Sequence, residues 1–168
     1  MARADEEFVE FARASAAGLR HAAYLLTGDG HAAEDAVQAA LVRTYAAWRR
    51  VRRDDAFAYT RRVMVNYLTD KWRRPLKEYA TGDLPEQSAG GDIAEEVALR
   101  SWLAGALAEL TFRERAVIVM RYLFDLPEAA VARDLGVTVG TVKSTSSRAL
   151  AKMRMSAEAP ASIGGDWR

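Results

Sequence analysis

The stretch 127-PEAAVARDLGVTVGTVKSTSSRALAKM-153 decides how the chain is read. Pro127 suits the first turn of a short helix over 127–135. Gly136 suits its C-terminus, where a left-handed residue closes a helix without a Cβ clash. Thr138 then caps a second helix over 139–154. Ala130 and Val131 pack the first helix, Val137 plugs the turn, and Val142 and Leu150 hold the second helix against the first. The pattern is a helix-turn-helix. The outer face of its second helix carries Thr141, Lys143, Ser144, Ser147 and Arg148, and Thr145 stands in the same run of hydroxylated residues. Short hydroxylated side chains let a backbone approach DNA, and Lys and Arg reach phosphates or the acceptor edge of guanine. A helical hairpin that binds another protein would use the same scaffold, so the rest of the chain has to decide.

Charge is the next signal. The 168 residues sum to only +1, but in blocks. Residues 1–42 hold three Arg against seven acids, 43–77 eleven bases against three Asp, 78–96 six acids and no base, and 131–154 five bases against one acid. Two basic segments separated by an acidic one point to two contacts with a polyanion. The first basic segment interleaves Tyr45, Trp48, Phe57, Tyr59, Tyr67 and Trp72 with arginines, which suits unstacked, single-stranded nucleic acid. Trp48, Phe57 and Tyr67 fit core positions better. Asn66, Trp72, Arg73 and Arg74, near the end of a basic helix, fit contact. Further back, Glu34, Asp35 and Gln38 share one helical turn with apolar positions behind them, which reads as a docking face for another protein.

Helical periodicity runs through nearly the whole chain, so the fold class is all-α. Helices are expected over about 5–26, 31–50, 55–74 and 93–109. Another opens on the capping box Thr111/Glu114, ahead of the helix-turn-helix. Asp54 or Asp55 is the expected cap of the third helix, and Pro75 its stop. Residues 76–92 carry turn residues and acids without periodicity. Two small helical domains are therefore expected, 1–75 and 95–154, joined by a flexible acidic linker over 76–94 and followed by a disordered tail over 155–168.

Several function classes fall away. Half of the residues are hydrophobic, enough for real cores, and there is no cysteine for disulfides or thiolate metal sites. No P-loop, dinucleotide fingerprint, nucleophile elbow or metal cluster is visible, so neither an enzyme nor a cofactor is expected. His21 and His31 are isolated. No apolar run approaches the ~20 residues that span a bilayer, and the acidic start MARADEEFVEF has no secretory h-region, so the expected place is the cytoplasm.

Three motifs in order, AEDAVQAAL, RRVMVNYLTDKWRR and LTFRERAVIVMRYLFDLPEAAVARDLGVTVGTVKSTSSRAL, resemble the extracytoplasmic-function (ECF, group 4) RNA polymerase sigma factors, most closely their actinobacterial SigE-like members. The likeness spans roughly 8–154. It implies that the helix carrying Asp35, Gln38 and Leu41 docks on the β′ clamp helices of core RNA polymerase, with the β flap as a further contact. It implies that the loop 49–55 with Tyr59, Arg62, Asn66, Asp70, Arg73 and Arg74 opens and holds the −10 promoter element. Thr141, Lys143, Ser144, Ser147 and Arg148 would read the −35 element. Promoter DNA and the polymerase would be the partners, with room for an anti-sigma factor, and no small-molecule substrate or membrane insertion. The chain departs from the family at Thr145 and Ser146, where arginine and leucine are frequent, and at Leu41, where an aromatic is common. The change at Thr145 would remove a phosphate contact. The competing reading is a helix-turn-helix regulator with an N-terminal sensor or dimerisation domain.

Overall fold

The structure is a computed structural model that describes residues 2–73 and 93–156. Those residues form seven α-helices: α1 Ala2–Thr27, α2 Gly30–Ala47, α3 Ala56–Arg73, α4 Ile93–Ala108, α5 Phe112–Ile118, α6 Glu128–Leu135 and α7 Val139–Met155. Among the described residues there is no strand, as the periodicity required. Most of the expected linker (76–92 of 76–94), most of the expected tail (157–168 of 155–168), Pro75 and Arg74 lie outside the described residues.

The corners follow from local chemistry. Gly28 sits at φ 68° between α1 and α2, in the left-handed region that a Cβ disfavours. Asp29 caps α2 by accepting from the His31 and Ala32 amides at 2.7 and 3.0 Å. The cap expected at Asp54 or Asp55 is instead a 3-10 turn, Arg53–Asp55, leading into α3. Thr111 and Glu114 form the full capping box of α5. That helix then widens: Val119–Leu123 is a π-helical turn, closed by the Phe124 amide donating to the Val119 carbonyl at 3.2 Å. Pro127 stands one residue earlier than expected, at the cap of α6.

Leu19, Leu26, Val37, Met64, Leu68, Val117, Met120, Val131 and Val142 are all buried in one continuous core. It draws on α1, α2 and α3 and equally on α5, its π turn, α6 and α7. Truncating any of its large members would cost about 2–5 kcal/mol. A second cluster, with Leu107, Leu110, Ile118, Ala149 and Met153, seats α4 on α5 and α7. Between α2 and α3 the buried Thr44 and Thr60 hydroxyls meet at 2.9 Å, which satisfies polar groups that burial would otherwise leave unpaired.

The N-terminal helices and the helix-turn-helix also meet through polar groups. Arg61 of α3 and Asp134 of α6 are both buried and lie 3.5 Å apart. Arg62 and Arg133 reach the same carboxylate at 4.0 and 3.9 Å. Burial pulls the Arg61 guanidinium below its ordinary value, and Asp134 opposes that pull. Phe57 meets Phe124 edge-on at 5.9 Å, and Trp72 stacks on Phe112 at 5.5 Å.

Candidate nucleic-acid interface

In α7 the cap residue Thr138 accepts from the Thr141 amide at 3.1 Å, and Gly136 takes φ 65° to close α6. The two devices set the angle at which α7 leaves the turn. Val142, Ala149 and Met153 are buried against the rest of the fold. Lys143, Ser144, Ser147 and Arg148 are exposed, and Thr141 is half-buried. These five thus share the outer side of α7, as read from the sequence. Lys143 leans back toward Glu128 of α6 at 3.8 Å, with both side chains solvated, so a competing phosphate would displace a weak surface pair.

Thr145 requires a correction. It is only 1% exposed and does not belong to the outer face. At about 100° per residue it falls in the same arc as Val142, Ser146 and Ala149. An arginine there would start from a buried position, so its replacement by threonine does not delete a solvent-facing cation. Ser146 is buried as well, where the family often packs leucine. At its far end α7 is anchored by Lys152, whose ammonium donates to both Glu114 oxygens at 2.9 Å. Burial pushes the Glu114 carboxyl up, but hydrogen bonds from Lys152 and Thr111 outweigh it and hold the group below its ordinary 4.5.

Along α3, positions 59, 62, 66, 70 and 73 repeat at spacings of three and four and so share one stripe. Arg62, Asn66, Asp70 and Arg73 are exposed and Tyr59 is half-buried. Thr60, Met64 and Leu68 hold the opposite side in the core. Trp48 is buried, as expected of a core aromatic. Trp72, expected to contact nucleic acid, is half exposed, with one ring face on Phe112 and the Arg115 guanidinium 5.5 Å from the ring centre. Burial lowers the Arg115 pKa.

On α2, Asp35 and Gln38 are exposed, and Gln38 donates to Glu34 at 3.3 Å. Leu41 is half-buried against the core, because six residues on from Asp35 is about 240° around the helix. The apolar group on the Asp35/Gln38 stripe is Val42, 69% exposed, followed by Tyr45 at 50%. Sequence reading passed over Val42. The available signal was an apolar side chain seven residues from Asp35, on the polar side of an amphipathic helix. Among the described residues no group of His, Asp and Glu could hold a metal ion, and no helix is long and apolar enough to cross a membrane.

Two family models match separate stretches of the chain. Residues 11–78 match the model for sigma-70 region 2, and residues 100–153 match that for sigma-70 region 4. The chain is 41% identical over 150 residues to an RNA polymerase sigma-E factor of Streptomyces coelicolor, covering 88% of this chain and 84% of that one. It is 34% identical over 152 residues to the ECF RNA polymerase sigma factor SigL of Mycobacterium tuberculosis, covering 83% and 82%. Among solved structures it is similar to the sigma factor RpoE of Bartonella quintana, crystallised with the anti-sigma factor NepR. The TM-score is 0.62 at 20% identity, covering 90% and 94% of the two chains. A helix-turn-helix regulator with an unrelated N-terminal domain would leave the region 2 match unexplained; the chain belongs to the ECF family of RNA polymerase sigma factors.

Proposed function

We propose that the chain binds core RNA polymerase in the cytoplasm and directs it to promoters, acting through binding rather than through catalysis of its own. The observation that carries this is the pairing of two polar, basic helix faces with the two matched regions. The α3 stripe lies in region 2, and the outer face of α7 lies in region 4. In this reading 1–75 is the unit for polymerase docking and the −10 element, and 95–154 the unit for the −35 element. Asp35, Gln38 and Leu41, joined by Val42, meet the polymerase. The loop 49–55, Tyr59, Arg62, Asn66, Asp70, Arg73 and Arg74 hold the opened −10 strand. Thr141, Lys143, Ser144, Ser147 and Arg148 read the −35 element. An anti-sigma factor is a further partner, on the strength of the structural neighbour.

The geometry adds a requirement. Elements about 25 base pairs apart are separated by about 85 Å of duplex, whereas a compact chain of this size has a radius of gyration near 15 Å. The packing of α3 on α6 and α5 must therefore release before both faces engage one promoter. Segment 74–92 can reach about 65 Å when fully extended, which leaves room for that separation. Until the polymerase fixes the spacing, each modest contact acts alone, and specific binding depends on the effective concentration that the assembly supplies.

The test is run-off transcription from a genomic fragment library with purified core polymerase. Discrete transcripts should require both the chain and the polymerase. No transcripts, or a chain that alone footprints a promoter as well as the holoenzyme does, would overturn the proposal.

A further inference from the structure

We infer that Arg53 is a positioning residue, held by Glu7 from the start of α1, that sets the shape of the loop 49–55 rather than contacting DNA itself. The inference rests on the reading of that loop as part of the −10 contact. Its sequence, RRVRRDD, offers four arginines that look interchangeable. The structure separates them. Arg49, Arg50 and Arg52 are exposed along the turn. Arg53 commits three of its five N–H donors. Its Nε and Nη2 donate to Glu7 Oε2 at 3.1 and 2.8 Å, and its Nη1 donates to the Trp48 carbonyl at 2.9 Å. Its guanidinium also lies over the Trp48 ring, 4.1 Å from the centre.

Each contact has a structural consequence. Trp48 is the C-cap of α2, where carbonyls lack helical partners, so Arg53 closes the end of that helix. The loop then leaves and returns between two fixed points, Trp48 and Arg53. Trp48 is itself wedged between Phe8 and Phe11 at 5.1 Å each, so the indole cannot shift without α1. Beside it the Tyr45 hydroxyl donates to Asp5 at 2.9 Å, a bond that raises the phenol pKa, with the Asp5 charge adding to it. Arg3 approaches the other Glu7 oxygen at 3.4 Å. The region 2 match begins at residue 11. Asp5, Glu7 and Phe8 lie before it, whereas Phe11, Tyr45, Trp48 and Arg53 lie within it, so the brace ties the matched region to the start of α1.

The Glu7 and Arg53 side chains are about four-tenths exposed, so the pair contributes little stability by itself. Its effect is to restrict the loop. A guanidinium needs its planar fork to satisfy a carboxylate, a carbonyl and an aromatic face together, and lysine cannot do this.

The experiment measures −10 opening by the holoenzyme, read from 2-aminopurine fluorescence in a promoter found by run-off transcription, across a salt series. Glu7→Ala and Arg53→Ala should each slow opening roughly three- to tenfold, and the double variant no further, as expected of partners in one interaction. Arg53→Lys should keep the charge and still lose most of the rate. The salt slope should stay at the wild-type value in all four, whereas a lost phosphate contact would lower it by about one. Circular dichroism melts check folding, and Glu7→Gln, neutral and of the same shape, replaces any alanine variant that fails to fold. A neutral or faster Glu7→Ala together with a slower Arg53→Ala of reduced salt slope would identify Arg53 as a direct phosphate contact and overturn the inference. So would additive single effects. If Arg49→Ala, Arg50→Ala and Arg52→Ala together leave opening unchanged, the loop reading fails and takes this inference with it. If they slow opening while Glu7→Ala does not, only the brace fails.

Discussion

Asp134 sits where the two matched regions meet, and replacing it with alanine should weaken their packing more than any surface change. Its carboxylate is 6% exposed and faces Arg61, itself 9% exposed, at 3.5 Å. Arg61 cannot escape the loss by neutralising, since a guanidinium stays protonated. Its Nε is already buried without a hydrogen-bond partner, and its guanidinium also lies 5.4 Å from the centre of the Phe124 ring. Among the described residues Asp134 is the acid paired with Arg61, so removing it leaves a buried, uncompensated cation, which costs about 3–5 kcal/mol. The low end applies, because Arg62 and Arg133 are more exposed and lose only surface attraction. At about 3 kcal/mol the melting temperature should fall by roughly 6–12 °C for a chain of this length. The same energy favours separation of the regions, which rehydrates Arg61, by a factor of about 150. Small-angle scattering should then show a radius of gyration above the ~15 Å of the packed form. The pair Arg61→Met with Asp134→Leu should recover most of the loss, since apolar residues of similar volume replace buried ion pairs at little or no cost. If Asp134→Ala melts within about 1 °C of the parent and keeps its radius, the argument from desolvation is wrong.

Three further outcomes follow from the same geometry. Val42→Asp should abolish co-purification with core polymerase while shifting the melt by less than about 0.5 kcal/mol, because the side chain is largely solvated and its loss touches no core group. Lys143→Ala and Arg148→Ala should each weaken holoenzyme binding to a −35 element and lower the salt slope by about one, measured by fluorescence anisotropy against salt concentration. Glu114→Gln should cost about 1 kcal/mol at pH 7 and nothing in strong acid. The folded carboxyl ionises at lower pH than the unfolded one, so its contribution is fully present above 4.5 and lost as pH falls through the depressed folded value; chemical denaturation at several pH values reads this.

Much of this protein is legible in its residues because the relevant physics is local. Helical periodicity, the glycine at 136, the hydroxyl at 138 and the 111/114 capping box act within one or two turns, so they place helices and corners without reference to distant chain. The same holds for the stripe of 59, 62, 66, 70 and 73 and for the outer face of α7, since a helix converts spacing into direction. The tertiary structure decided everything that depends on what a helix packs against. Thr145 turned inward and Val42 outward because only the position of the core tells which side of an amphipathic helix is covered when polar and apolar residues mix. Arg61 and Asp134 lie 73 positions apart in the numbering, and Glu7 and Arg53 are separated by 46. Nothing in either neighbourhood announces the partner, because an ion pair is recorded in sequence as two ordinary surface-type residues. The four arginines of RRVRRDD carry the same charge and sit in one short run, and the fold alone singles out the one whose guanidinium binds Glu7 and the Trp48 carbonyl.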